Sequence, residues 1–154
     1  MDGGSALAYE VRGGADAPTL ISGVTIGGTV ANAPAVMMRN ARTTRVGNDS
    51  PQTDAEITIE NCINNADVTA ENTNRATAFV STVFGAIMQI DSCVNNGTVS
   101  GEEAAQKNQT CVGGIVGRVN SAMTINGCAN RGDVTATATS ERAYAGGNVG
   151  MCDG

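Results

Sequence analysis

The chain has no histidine and no tryptophan, and its aromatic rings are Tyr9, Phe79, Phe84 and Tyr144 alone. Without histidine the usual catalytic triads and the common imidazole metal site are gone. With so few rings, a core of the conventional kind lacks its large anchors. Basic residues are scarce too. Nine Lys and Arg stand against fifteen Asp and Glu, a formal charge of −6 that argues against a nucleic-acid partner. No apolar run approaches the length of a membrane span, and Met1–Ser5 lacks the basic-then-apolar pattern of a signal peptide. Disorder does not explain the missing rings, because 41% hydrophobic against 16% charged residues is too apolar for it.

What the chain has is repetition. Ile57–Ala70 (ITIENCINNADVTA), Met88–Gly101 (MQIDSCVNNGTVSG) and Met123–Ala136 (MTINGCANRGDVTA) share an apolar–polar–Ile opening. A Cys follows three residues later, an Asn two after that, then a closing Val. Ile21, Val24, Ile26, Gly28 and Val30 sketch a fourth, earlier copy. A second word trails each copy: Thr43–Gly47 in degraded form, STVFG to Gly85, GGIVG to Gly117 and GGNVG to Gly150. Ile21 to Gly47 and Ile59 to Gly85 each span 26 positions, Ile90 to Gly117 spans 27, and Ile125 to Gly150 spans 25. The spacing predicts four repeats (about 20–56, 57–87, 88–122 and 123–154) behind an entry segment or N-terminal cap at 1–19. At 154 residues they make a single domain.

Self-similarity at this period marks a solenoid, propeller or array. Period-2 alternation chooses among them: Ile57/Ile59 point one way and Thr58 the other, and Cys62, Asn64, Ala66 and Val68 form a second such series after a corner near Glu60-Asn61. Val83, Ile115 and Val149 mark a third short segment. No helical stripe intervenes. The expected fold is all-β: a parallel β-solenoid of about four coils with three short strands per coil. At about 4.8 Å per coil it would be roughly 20 Å long. Ala35–Thr44, with Met37, Met38, Arg39 and Arg42, is read as a short helix capping the first coil, Arg45 lying just beyond.

GGIVG at Gly113–Gly117 and GGNVG at Gly146–Gly150, with the C-x-N-x-G-x-V word, resemble the GLUG-motif repeat proteins, bacterial cell-surface modules whose core reads G-[LI]-V-G. The resemblance runs from about Ile21 to the C-terminus, and the first two copies depart from it with Thr-Arg-Val-Gly and Val-Phe-Gly. It implies a β-helical segment of a large extracellular adhesin-like or protease-associated protein. It implies no catalytic residues.

The candidate sites are mostly structural. Cys62, Cys93 and Cys128 share one slot and read as a column of small buried side chains, since structural zinc wants close ligand pairs that are absent here. With five cysteines, no complete set of internal disulfides is possible. Asn64, Asn95 and Asn130 share another slot, where stacked amides can satisfy one another. Gly97 and Gly132, with Ala66 as the exception, read as turn residues. Arg131-Gly132-Asp133 spells a tripeptide known from integrin-binding loops, at a corner the repeat wants anyway. Asn48, Asn96 and Asn108 open N-x-S/T sequons at the frequency chance gives. Glu60 and Asp91 stack outward but Asn126 breaks the column, and Gln89 interrupts the Thr58–Thr124 face. The variable polar stretches Glu71–Thr77, Glu102–Thr110 and Thr137–Ala143 belong on one face of the solenoid.

The expectation is thus a non-enzymatic structural or adhesive segment of a cell-surface or extracellular protein, without metal or cofactor. It would join itself or flanking repeats end to end, and meet host or matrix glycans or proteins. The alternative is a glycan-binding or polysaccharide-processing β-helix segment.

Overall fold

Short runs of Val, Ile, Thr and Ala, broken every few residues by Asn, Gly or Asp, favour strands that turn often. The computed structural model describes residues 7–13, 18–43, 56–71, 75–102, 109–138 and 142–153. Among the described residues those runs are all strands, and there is no helix. β1 (Ala8–Gly13) leads in, and the first repeat follows as β2 (Thr19–Ser22), β3 (Thr25–Ile26), β4 (Thr29–Ala31) and β5 (Met38–Thr43). The second repeat is β6 (Glu56–Glu60), β7 (Ile63–Asn64), β8 (Asp67–Ala70), β9 (Arg75–Thr77) and β10 (Val80–Phe84). The third is β11 (Ile87–Asp91), β12 (Val94–Asn95), β13 (Val99–Glu102), β14 (Gln109–Gly113) and β15 (Val116–Val119). The fourth is β16 (Met123–Asn126), β17 (Ala129–Asn130), β18 (Val134–Thr137), β19 (Arg142–Gly146) and β20 (Val149–Cys152).

Each strand pairs in parallel with its counterpart one repeat away, so the strands stack in five columns. Column one holds β2, β6, β11 and β16; column two holds β3, β7, β12 and β17; column three holds β4, β8, β13 and β18. Column four holds β9, β14 and β19, and column five holds β1, β5, β10, β15 and β20. The chain is an all-β parallel β-solenoid. Three turns place a strand in every column, while the first repeat supplies four columns and crosses from β4 to β5 without one in column four. Five strands per complete turn replace the three expected.

In columns one to three the register is the one the repeat dictates. Ile90 pairs with Ile59 and Ile125, Asn95 with Asn64 and Asn130, and Val99 with Val68 and Val134. Ile21, Ile26 and Val30 pair with Ile59, Asn64 and Val68. The corner expected near Glu60-Asn61 is built in every repeat by a residue in the left-handed region: Gly23, Asn61, Ser92 and Gly127, with φ between 52° and 68°. Glycine adopts that conformation freely, and Asn is the side-chain residue that tolerates it best.

In column five the second word slips. Val116 pairs with Val80 and Val149, and Val80 with Met38, which sets Gly117 and Gly150 beside Ser81 rather than Gly85. Gly85 is instead a left-handed corner glycine, φ 67°. Gly117 and Gly150 lie within strands, where an added Cβ would sit 2.8 Å from the carbonyl oxygen of the residue one coil earlier. The near-equal spacings therefore joined glycines with different tasks. Gly47 lies outside the described residues, and the first repeat's true counterpart of the word is Ala35–Arg39. The short helix expected over Ala35–Thr44 is corrected with it: Met38–Thr43 is β5, held by the ladder to β10 and β1.

The interior follows the alternation. Ile57, Ile59, Cys62, Asn64, Ala66, Val68 and Ala70 are buried while their neighbours face out or lie half-buried. The cavity between strands is narrow: an added Cβ on Gly101 would sit 2.6 Å from Val112 Cγ2. Small and β-branched residues fill such a space, and among the described rings only Phe79 is fully buried.

Candidate functional sites

The asparagine slot forms a continuous ladder. Asn64 Nδ2 donates to Asn95 Oδ1 at 2.7 Å, and Asn95 Nδ2 donates to Asn130 Oδ1 at 2.7 Å. Each amide spends its other hydrogen on the carbonyl two residues ahead, at Ala66, Gly97 and Gly132, all at 2.8 Å. The buried Asn64 and Asn95 amides thereby place both their hydrogens. Gly114 serves the same ladder, because a Cβ there would collide with the Asn130 amide at 2.4 Å.

The cysteine slot forms a second ladder one step away. The Cys62 N–H donates to Cys93 Sγ and the Cys93 N–H to Cys128 Sγ, both at 3.4 Å. The Cys62 and Cys93 thiols in turn donate to the carbonyls two residues back, at Glu60 and Asp91, while the Cys128 thiol lies between the carbonyls of Asn126 and, one coil earlier, Ile90. All five cysteines are free thiols. Burial pushes the Cys93 thiol up to about 12, and raises Cys128 and Cys111 for the same reason. Thiols so held are inert hydrophobes at neutral pH, poor nucleophiles and poor metal ligands.

Outside the Asn slot the corner carries its own stack. Asn96 Nδ2 donates to the Asn65 Oδ1 at 2.8 Å, and Thr98 gives both its N–H and its hydroxyl to Asp67 Oδ1 at 2.8 Å. Those bonds hold the Asp67 carboxyl below its ordinary value, the backbone N–H contributing most. Arg131, Gly132 and Asp133 occupy the next level, with Arg131 and Asp133 exposed and Gly132 half-buried. An added Cβ on Gly132 would sit 1.9 Å from the Gly97 carbonyl oxygen, and one on Gly97 would sit 2.0 Å from that of Ala66. Neither glycine has positive φ, so close approach of the coil beneath, not turn freedom, demands them. The sequon at Asn96 sits in this stack, while Asn48 and Asn108 lie outside the described residues.

Sequence reasoning missed the seam where columns four and five meet. Arg75 Nη1 donates to Thr82 Oγ1 at 2.8 Å, Cys111 Sγ lies 3.5 Å from Met151 Sδ, and Arg118 pairs with Asp153. The first two contacts join residues from each side of the bends at 78–79, 114–115 and 147–148, the Arg118–Asp153 pair joins two coils along column five, and nothing in the linear pattern pairs them. Among the described residues no group of three His, Cys, Asp or Glu could hold a metal. No helix is long and apolar enough to cross a membrane.

The variable stretches fall between columns three and four. Residues 72–74, 103–108 and 139–141 lie outside the described residues, and the flanks Arg75–Thr77, Gln109–Thr110 and Arg142–Ala143 are strand. At the two end coils the inward-facing residues are only half-buried: Ile21, Val24, Ile26 and Val30 at one end, Met123, Ile125, Cys128 and Val134 at the other. The latter end opens into a cavity of about 200 Å³ lined by Val119, Ser121, Met123, Ile125, Val149 and Cys152. No family model, curated protein or solved structure matches the chain.

Proposed function

We propose that this chain is a structural or adhesive segment of a cell-surface or extracellular protein, built of GLUG-like repeats and extended at its end faces by further parallel coils. The observation that carries the reading is the pair of end faces. Among the described residues each is a row of edge strands with no further strand beyond it in its column, over apolar side chains that are fully buried in the middle coils and half-buried at the ends. Open strand edges of this kind associate readily. The middle of the molecule supplies rigidity through two internal ladders, and the outer corner with Arg131, Gly132 and Asp133 and the variable stretches supply surface for a host or matrix protein or glycan. The role asks for no cofactor and no catalytic residue.

Sedimentation with negative-stain imaging across concentration tests it. Growth along a single axis is the expected result. A dispersed monomer at every concentration that captures glycans on an array, or releases fragments from a polysaccharide, would overturn it in favour of a glycan-directed β-helix.

A further inference from the structure

Both ladders run one way. Asn64 gives an amide hydrogen to Asn95 and Asn95 gives one to Asn130. The N–H groups of Cys62 and Cys93 likewise point to the sulfur of the following coil. Each of these amide and N–H donors faces the later coil, and the atom that accepts it faces the earlier one. At the fourth repeat this leaves two donors with no acceptor among the described residues. One is the second amide hydrogen of Asn130, whose first is held by the Gly132 carbonyl. The other is the N–H of Cys128. They lie two residues apart in column two, beside the half-buried Ile125 and Val134. At the opposite face the same two slots hold Val24 and Ile26, whose side chains offer no acceptor. That face leaves no ladder donor without an acceptor, because the Asn64 amide and the Cys62 N–H point away from it.

We propose that the fourth-repeat end face is a docking surface for a parallel β-coil carrying Cys and Asn two residues apart, and that it disfavours the first-repeat face of a second copy. The claim rests on the end-face reading above and deepens it by naming the coil that fits. Its warrant is continuity: the interface is formed twice within the chain, by the third repeat on the second and by the fourth on the third, with the same bonds in the same register. A second copy stacked in that register would lay Val24 and Ile26 over Cys128 and Asn130. Two donors would then be buried without partners, each weakening association by about tenfold.

The test makes the poor partner a good one. The full chain is compared with its Val24→Cys/Ile26→Asn variant by sedimentation equilibrium under reducing conditions. The variant is expected to self-associate at least tenfold more tightly and to form longer stacks by negative stain. Equal association of the two proteins would overturn the acceptor rule and leave the end-face reading standing. No association of either would overturn both. If circular dichroism shows the double variant unfolded, Ile26→Asn alone is read the same way, since its new amide has Asn64 Oδ1 within reach on the next coil. A tenfold gain is expected there, and no gain overturns the proposal.

Discussion

Columns one to three and columns four to five belong to one solenoid but are held in shape by different means. In the first group, side chains do it: the Asn amides bond coil to coil at 2.7 Å, and the Cys sulfurs accept the N–H of the coil before. In the second group no Asn or Cys ladder runs from coil to coil among the described residues, and a tight backbone bend shapes each coil instead. Gly113 and Gly146 each sit where an added Cβ would lie 1.9 Å from the carbonyl oxygen of Val116 and Val149. Thr77 takes the same slot one coil earlier. A side-chain ladder needs the same residue at each level, so its sequence repeats. A backbone contact needs only room, so its sequence drifts.

The largest expected effect strikes the backbone-held side. Gly113→Ala forces a methyl into the Val116 carbonyl and the Gly150 N–H region, and should cost about 3 kcal/mol in urea unfolding. A loss under 1 kcal/mol would mean that the bend can relax as it does around Thr77. Next comes the ladder itself. Asn95→Leu strands an Asn64 donor and an Asn130 acceptor, and should cost about 2–3 kcal/mol. Combined with Asn64→Leu, the total should fall short of the sum, because the two share a bond.

The cysteine column sharpens the comparison through pH. Cys93 keeps its proton in the folded chain up to about pH 12, whereas an unfolded thiol releases it near 9. Above pH 9 the folded state therefore binds more protons, and stability falls as pH rises from 9 to 12; below 9 the contribution is complete. Cys93→Ser retains an acceptor for the Cys62 N–H and should flatten part of that slope in unfolding curves taken at pH 8 and pH 11. A slope unchanged by the substitution would place the titrating group elsewhere. The smallest effect is a gain. Ser92 adopts the left-handed corner with φ 52° where two other repeats use glycine, so Ser92→Gly should stabilise by about 1 kcal/mol in thermal unfolding.

This contrast also explains what could be read from the sequence. Strand character, column register at Ile59, Asn64 and Val68, and the corner at Asn61 were legible because one face of each strand is buried and the other is wet. From Ala76 to Ser81 and from Thr110 to Gly117 every residue is buried, so the alternation that reveals a strand disappears. Only the apolar pairs Met37-Met38, Phe79-Val80 and Ile115-Val116 mark the true alignment there, and the glycines at 85 and 117 obscured it. The Cys and Asn ladders were legible as columns. Their direction was not, since it depends on which hydrogen each amide and each N–H gives away.

The connections between columns three and four separate variation from architecture. They contain four, six and four residues in the second, third and fourth repeats, yet β8, β13 and β18 before them and β9, β14 and β19 after them keep strict register. Doubling the length of such a connection costs only about 0.6 kcal/mol in closure entropy. Insertions at this corner can therefore accumulate level by level without altering the coils that carry them. The molecule has one edge along which new surface can be written and selected, while the ladders hold the second, third and fourth repeats to the same pattern.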